Sequence, residues 1–535
     1  MLKRRMTFRI PIHRSRVFAS FLTVTLATIA SASVHAQELT AFVNVNVIPM
    51  GTETVLVGYT VVVDGDEIAA VGPSADVDIP SGAVVIDASD AYLIPGLADM
   101  HVHLNLDPNP DFMRLFLAEG VTTIRNLNAL PNHLEWRDQV LRGERIGPTI
   151  YTSGPVIVGP PESAMEWTFR LLVVAGLLAL GAVVWIALWL LQRLQGLNRG
   201  TAPMRRAVLP GAMVLVAVGA VLLGLKAIPL NVYASVQYPF AYFPDTEARA
   251  RAEVRRQVNA GYDLIKVYDW MTRDQYLGAI DEARIQGVYV IGHIDYGVEA
   301  PLAAGLREAA HVDEFLDEHL MGEISPQAFH PVLVDKDLIP QSVESVVEHD
   351  ALVVSNMATD VITYEYLDEG PGYFERPEYS RIRPQTIRIW LSGRMVNWQG
   401  QQDWRRDTLQ PFYEQMTRAL HAAGVPILTG TDTGVDGSLP EHIHRELELL
   451  VGAGLSPYEA LRAATSNARL SVTRMGVADA FGEVAVGQRA DLVLLASNPM
   501  KDVSATRQRL GVMSRGRWYP QTELDRLVAE VVASY

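Results

Sequence analysis

The stretch Leu93-Ile-Pro-Gly-Leu-Ala-Asp-Met-His101-Val-His103-Leu104 decides the fold. Apolar residues lead into it through a turn at Pro95-Gly96, so we expect a buried strand here. Side chains alternate along a strand, and the two histidines should therefore point to the same face. Two imidazoles at this spacing can bind one metal ion. A His-x-His pair alone is a weak signal, because many such pairs are ordinary histidines near a strand end.

The residues around the pair make the signal specific. Pro-Gly-Leu-x-Asp-Met-His-x-His resembles the first metal-binding strand of the amidohydrolase superfamily, especially its imidazolonepropionase-like and prolidase-like members. The resemblance implies a (β/α)8 barrel of the TIM type, with the active site at the carboxyl ends of the strands. It also implies a small β-sandwich beside the barrel, to which both ends of the chain contribute.

Length and charge are compatible with this architecture. A chain of 535 residues is long enough for a barrel and a smaller module. The absence of cysteine excludes disulfides and thiolate metal ligands. A formal net charge of −16, without a basic groove, argues against nucleic acid as a partner. We therefore expect a small-molecule substrate, and the sequence does not determine the oligomeric state.

Residues 1–36 have the composition of a secretory signal peptide. Lysine and arginine are frequent before residue 17, and residues 17–33 are uncharged and mostly apolar. Val34-His-Ala36 suits a small-residue cleavage site before Gln37. An uncleaved membrane anchor is the alternative, although the apolar span is short for a membrane helix. We expect the catalytic part to lie outside the cytoplasm, in the periplasm or at the cell surface.

The domain assignment follows the resemblance and the strand pattern. Residues 37–93 consist of short strand-like runs separated by turns, and the same sequence pattern occurs again after Gly482. We assign residues 37–93 and 480–535 to one composite β-sandwich domain. In residues 94–162 and 233–479 strand patterns alternate with helical ones, which indicates the barrel of a metal-dependent hydrolase.

Residues 163–232 interrupt the barrel pattern. Residues 171–191 and 207–225 are uncharged and apolar, and each is long enough to cross a hydrocarbon core of ~30 Å. The loop between them carries arginines and no acid, which by the positive-inside rule places it in the cytoplasm. We predict an inserted two-helix transmembrane hairpin, in preference to two buried core helices. Such a hairpin would anchor the barrel mouth to the membrane, where a lipid-linked substrate is as reasonable as a soluble one.

Four further residues at predicted strand ends are candidate metal ligands. Lys266 lies inside an apolar strand, where a lysine has a lowered pKa, is paired or is modified. In the resembled family a lysine at this place carries a carbamate that bridges two metal ions; a structural lysine is the alternative. His293 and His311 follow successive strands, and Asp432 follows the last one.

The resemblance implies how these residues share two divalent ions. His101, His103, Asp432 and the Lys266 carbamate would hold one ion, and the other would be held by the same carbamate and the remaining pair, His293 and His311. Zinc suits mixed nitrogen and oxygen ligands best, with manganese or cobalt as alternatives. Asp432 would also carry the proton during hydrolysis.

The predicted function is hydrolysis of a carbon–nitrogen bond in an amide, a dipeptide or a cyclic amide by a metal-activated hydroxide. One alternative is a one-metal deaminase or ring-opening hydrolase in which Lys266 is structural. The other is a non-catalytic membrane binding component. A complete ligand set argues against it, because buried polar groups without a metal cost free energy.

Three other sequence features have no assigned role. Family members commonly carry Arg-Asp after the second barrel strand, where this chain has Arg125-Asn126, and this departure leaves the role of position 126 open. His442 and His444 could line the pocket, although we take them by default as residues that begin a helix. Residues 357–401 are polar and aromatic with little periodicity, and we expect loops and short helices over the barrel mouth.

Overall fold

The computed structural model describes residues 39–104, 107–160, 240–321, 333–392, 400–435 and 437–535, with isolated helical positions at 176, 180, 181, 184 and 187. The strands, in chain order, are β1 Leu39–Val47, β2 Leu56–Asp64, β3 Glu67–Pro73, β4 Val84–Asp87, β5 Tyr92–Pro95, β6 Leu97–Val102, β7 Val121–Asn126, β8 Thr149–Thr152, β9 Val156–Ile157, β10 Ala241–Tyr242, β11 Leu264–Val267, β12 Tyr289–Gly292, β13 Glu308–Ala309, β14 Leu320–Met321, β15 Leu333–Val334, β16 Leu352–Val354, β17 Ile427–Leu428, β18 Leu492–Leu495, β19 Arg509–Ser514 and β20 Arg517–Pro520.

The helices that accompany these strands are α1 Arg114–Ala118, α2 Pro131–Leu141, α3 Glu247–Ala260, α4 Arg273–Gln286, α5 Glu299–Ala304, α6 Leu316–His319, α7 Ile339–Glu348, α8 Met357–Glu369, α9 Pro384–Ser392, α10 Gln402–Trp404, α11 Gln410–Ala422, α12 His442–Gly452, α13 Pro457–Ala463, α14 Ser466–Arg474 and α15 Gln521–Ala533.

Parallel strands separated by helices form a closed ring, and the α/β class of the prediction is confirmed. Strands β6, β7 and β8 pair in one sheet, and β11, β12, β13, β16 and β17 pair in order in another. Parallel bridges between Ser153 and Leu264, and between Val102 and Thr433, join the two sheets on both sides. The carboxyl ends of the eight strands therefore meet at one mouth, which is where active sites of such barrels lie.

Helix caps and glycines at helix ends determine where β11 and β12, which lead to two of the candidate ligands, begin. Helix α4 begins with a capping box of Thr272 and Gln275. Helices α3 and α4 end at Gly261 and Gly287, whose φ angles of 85° and 68° are left-handed and favour glycine. The chain turns at these glycines directly into β11 and β12. Both strands are buried along their whole length, as expected for a parallel sheet covered by helices.

Strands from both ends of the described chain pair in one eight-stranded sheet. Its order is β20-β19-β18-β5-β1-β2-β3, and β4 pairs with β1. Strand β5 lies antiparallel to β18, and the N–H of Gly96 donates to the carbonyl of Asp491 at 2.8 Å. Strand β6 begins one residue later, so this sheet fixes the start of the His-x-His strand. The proposed domain boundaries stay a prediction.

The transmembrane part of the predicted fold class is wrong. None of the helices in the described part of the chain is both long and apolar enough to cross a membrane. The predicted hairpin, residues 163–232, lies outside the described residues except for the isolated helical positions, and so does the predicted signal peptide, residues 1–36. An apolar run alone cannot distinguish a membrane helix from other apolar segments. The corrected fold class is an α/β barrel with an appended β-sheet.

The segment after β16 is more regular than its composition suggested. Residues 357–369 form the helix α8, which is longer than the predicted short helices, and short 3-10 turns and α9 follow it. The helical pattern was hidden because buried polar residues interrupt the apolar face. One of them, Asp360, pairs with Arg405 on the neighbouring turn.

Candidate metal centre

His101 on β6 is the centre of the cluster, and only 1% of its surface is exposed. Its Nδ1 donates to the carbonyl of Ala310 at 3.0 Å, so its Nε2 carries the lone pair. That Nε2 lies 3.3 Å from Nε2 of His103 and 3.3 Å from Nε2 of His311. Burial, together with the neighbouring cationic groups, holds the pKa of His101 well below its usual value. Three imidazole nitrogens thus converge on one point.

Asp432 faces the same point from the turn after β17. Its Oδ1 lies 2.9 Å from Nε2 of His103 and 3.4 Å from Nε2 of His101. Its N–H donates to the carbonyl of His101 at 2.8 Å, and its φ of 52° is left-handed. Burial would raise the pKa of Asp432, but the nearby His103, His311 and Lys266 lower it to about 2. The carboxylate is therefore ionised at neutral pH.

Lys266 on β11 is 1% exposed, and its Nζ has no hydrogen-bond partner among the described residues. Burial lowers its pKa to about 8, against the opposing effect of the Glu314 and Asp432 carboxylates. An ammonium group without partners is costly inside a protein, so the neutral amine is accessible here. A neutral amine is the form that can react with carbon dioxide to give a carbamate.

His293 and His311 each present Nδ1 to acidic side chains. Nδ1 of His293 lies 2.9 Å from Asp269 and 2.9 Å from Glu314, and Nδ1 of His311 lies 3.0 Å from Glu314. Burial would lower the pKa of His293, but Asp269 and Glu314 raise it to about 9. Nε2 of His293 is buried without a hydrogen-bond partner in the described chain.

The structure brings all six predicted ligands to the carboxyl ends of the barrel strands, and their chemistry fits divalent metal ions. Among the described residues, two groups of side chains could hold an ion: His101, His311 and Asp432 in one, and His293, His311 and Glu314 in the other. Lys266 adds a buried polar atom that lacks a partner within the described residues. Such a set of nitrogen and oxygen donors is the kind that binds zinc and related ions.

Sequence reasoning missed Glu314, Asp269 and Asp99. The spacing His311-Val-Asp-Glu314 was available as a signal, because residues three apart approach each other in the 3-10 turn Val312–Phe315. Asp99 precedes His101 by two residues and so faces the barrel interior. It accepts the N–H of Thr431 at 3.1 Å and its hydroxyl at 2.6 Å, which ties β6 to the turn that carries Asp432. Burial raises the pKa of Asp99 to about 7.

Asn126 forms hydrogen bonds beside the candidate ligands and is not one of them. Its Oδ1 accepts the N–H of Leu104 at 3.0 Å, and its amide nitrogen contacts Nδ1 of His133 at 3.0 Å and donates to Thr152 at 3.1 Å. Asn126 therefore holds the backbone next to His103. An aspartate here could not donate to these two partners.

His442 and His444 have other partners. Nδ1 of His442 accepts the N–H of Leu439 at 2.9 Å at the start of α12. His444 contacts Thr506 at 2.9 Å and Arg509 at 2.8 Å, and it lies 3.3 Å from Glu119. Burial lowers the pKa of both histidines, that of His442 to about 3 and that of His444 to about 4. None of these contacts involves the six candidate ligands.

Comparison with known proteins identifies the family of the chain. The profile of the amidohydrolase family matches residues 197–519, which is more than half of the chain. The match includes four of the candidate ligands, while His101 and His103 precede it. A dihydroorotase of Mycobacterium leprae (strain TN) is 32% identical over 116 residues, which cover 18% of this chain and 25% of the relative. An ochratoxinase of Aspergillus niger is 38% identical over 81 residues, 15% of this chain and 16% of the relative. The matched segments thus span a quarter or less of these relatives.

Solved structures share the fold over most of the chain. The A. niger ochratoxinase superposes with a TM-score of 0.57 at 18% identity, covering 90% of this chain and 96% of that one. A Xaa-Pro dipeptidase with methionine bound in its active site gives a TM-score of 0.57 at 16% identity, with 90% and 100% coverage. The family match and the resemblance of the His-x-His strand agree, and the chain is an enzyme of the amidohydrolase family.

Proposed function

We propose that the protein hydrolyses a carbon–nitrogen bond in a small amide, dipeptide or cyclic amide with the help of two divalent metal ions. The observation that carries the proposal is the convergence of the imidazole nitrogens and the Asp432 carboxylate at the barrel mouth. The buried Lys266 amine lies at the same mouth and has no hydrogen-bond partner among the described residues. When bound, divalent ions lower the pKa of a water molecule and polarise a substrate carbonyl.

The chain itself supplies the proton transfer and the ligands. Asp432 is ionised and adjoins the imidazole cluster, so it can accept the proton of the attacking water and pass it to the leaving nitrogen. The neutral amine of Lys266 would add to carbon dioxide, losing one proton and forming an anionic carbamate that supplies oxygen ligands. We propose zinc as the resident metal, because the donors combine imidazole nitrogen with carboxylate-type oxygen.

A one-metal deaminase or ring-opening hydrolase is the second candidate. It is favoured by an adenine deaminase of Ruegeria sp. (strain TM1040) that is 31% identical over 112 residues, 20% of this chain and 18% of the relative. Metal content per chain, measured by inductively coupled plasma mass spectrometry, separates the two candidates. About two ions per chain supports the first, and one tightly bound ion supports the second.

A substrate panel tests the reaction. Purified enzyme loaded with zinc is assayed against acyl-proline dipeptides, N-acyl amino acids, lactams, esters and aminopurines, with the chelator-treated enzyme as the matched control. Zinc-dependent cleavage of a dipeptide, N-acyl amino acid or lactam supports the proposal. Zinc-dependent release of ammonia from an aminopurine, without cleavage of the amides, would favour the deaminase.

We further propose that the enzyme acts outside the cytoplasm. The support is the sequence of residues 1–36 alone, with its basic start, apolar middle and small-residue end. Mass spectrometry of the mature protein tests this proposal, which expects an amino terminus at Gln37. A mature chain that retains residues 1–36 and remains in the cytoplasm would contradict it.

A further inference from the structure

One carboxylate in the candidate metal centre contacts two imidazoles at once. Oε1 of Glu314 lies 2.9 Å from Nδ1 of His293 and 3.0 Å from Nδ1 of His311. Its Oε2 accepts the N–H of Ile294 at 3.1 Å. The side chain is 9% exposed, and it belongs to the turn that follows His311 directly. Both ends of the carboxylate are therefore fixed by neighbours from two barrel loops.

This arrangement determines where the imidazole protons are. An ionised carboxylate can only accept hydrogen bonds, so each imidazole that it binds must carry its proton on Nδ1. When these rings are neutral, as metal binding requires, their lone pairs are on Nε2, and Nε2 of His311 faces Nε2 of His101 at 3.3 Å. When a group that is not itself a ligand accepts the ring N–H of a metal-binding histidine, the hydrogen bond orients the ring and raises its basicity.

We propose that Glu314 is a positioning residue that holds both histidines of the His293–His311 half of the centre for one metal ion. The inference rests on the proposed function only in taking these two histidines as ligands. In the other half, His101 is oriented by the carbonyl of Ala310 and not by Glu314. Loss of Glu314 should therefore weaken the His293–His311 half of the centre more than the half that contains His101.

The neighbouring acids can replace Glu314 only in part. Asp269 also lies 2.9 Å from Nδ1 of His293, so this ring keeps an acceptor when Glu314 is changed. The other acid near Nδ1 of His311 is Asp313, at 3.4 Å. His311 should therefore lose its orientation first.

The sharpest test compares Glu314→Gln with Glu318→Gln. Glu318 lies one helical turn further on and accepts the N–H of Val298 at 3.2 Å, just as Glu314 accepts that of Ile294. Both substitutions remove one negative charge from the same segment. In Glu314→Gln, however, the amide cannot accept from the imidazoles and from Ile294 at once, because one of its two ends is a donor.

The readout is zinc binding without substrate, so it is independent of which bond the enzyme cleaves. Full-length protein stripped by a chelator is titrated with Zn²⁺ in bicarbonate buffer by calorimetry. For Glu314→Gln we expect the zinc affinity of one of the binding steps to fall ~10–100-fold, as is typical when a hydrogen-bond partner of a metal ligand is changed. Glu318→Gln should bind zinc like the wild type. Wild-type zinc affinity in Glu314→Gln, or an equal loss in Glu318→Gln, would overturn the inference.

A second measurement separates positioning from a general structural role. A merely structural residue would lower the melting temperature of the metal-free protein, whereas a positioning residue reduces the rise in melting temperature that zinc causes. We expect a smaller zinc-induced rise in Glu314→Gln and an unchanged one in Glu318→Gln. Glu314→Asp keeps the charge but shortens the side chain. Its zinc-induced rise in melting temperature should be between those of the wild type and Glu314→Gln. An undiminished zinc-induced rise in Glu314→Gln would contradict the proposal.

Discussion

The Nε2 atoms of His101 and His311 lie 3.3 Å apart, although 210 residues separate them in the sequence. Each ring has its Nδ1 against an acceptor, the carbonyl of Ala310 for His101 and the carboxylate of Glu314 for His311. The two Nε2 lone pairs therefore face each other. A cation between them would relieve this repulsion and couple β6 to the turn after β13, two strands that are not neighbours in the barrel.

Removal of metal should consequently destabilise the fold as well as abolish activity. We expect chelator treatment to lower the melting temperature and Zn²⁺ to restore it, since a ligand at 100 times its Kd stabilises the native state by about 2.7 kcal/mol. Differential scanning fluorimetry across a zinc series measures the effect. A melting temperature that responds neither to chelator nor to zinc would show that these residues hold no ion.

Substitution of Lys266 by alanine should remove both metal and activity, because the amine is the precursor of the proposed carbamate. Short carboxylic acids should restore part of the activity by occupying the cavity left by the side chain. Lys501, which is exposed, provides the matched control Lys501→Ala and should be indistinguishable from wild type. Full activity of Lys266→Ala with a single ion would exclude the carbamate-bridged pair.

Asp432→Asn should keep the fold and at least one metal ion but lose turnover. Asparagine tolerates the left-handed φ of 52° at this position, so the backbone turn is preserved. Removal of a positioned acid/base typically costs ~10²–10⁴ in rate. The measurement is kcat on the best substrate of the panel, with metal content determined in the same sample. An unchanged kcat would mean that another group moves the proton.

Gly430→Ala should disturb the centre without altering any ligand. A Cβ at this position would lie 2.7 Å from Cβ of His101 and 2.5 Å from Cγ1 of Val354, closer than real contacts permit. Val354 can turn away, but Cβ of His101 cannot move without its strand. Overpacking of this kind costs typically ~1–3 kcal/mol. We expect lower thermal stability and weaker zinc binding.

The control for Gly430→Ala is Gly452→Ala, since a Cβ added at Gly452 near the end of α12 meets no atom within 4 Å. It should leave stability and zinc binding at or above wild type, because alanine favours a helix more than glycine does. If the two variants behave alike, the close approach of Gly430 to His101 does not matter for the metal centre.

The sequence was informative where function depends on residues in a local pattern. His101 and His103 share a strand face because of their spacing, and Lys266 was noticeable because a charge in an apolar strand is costly. Asp269 was missed because its contact with His293 arises only when two barrel loops meet. Glu314 was missed although its spacing to His311 is local, because its second contact, with His293, also joins two loops. The transmembrane hairpin was predicted wrongly because the length of an apolar run does not show whether lipid or protein surrounds it.

The pairing of β5 with β18 has a consequence for the order of events during synthesis. The ribosome releases β5 and the adjoining His-x-His strand long before β18 and β19 exist, and until then one edge of β5 has no partner. Contacts so distant in the sequence form late in folding. The metal centre should therefore assemble only after β18 has been synthesised, and a chain that stops before Leu492 should lack a functional centre.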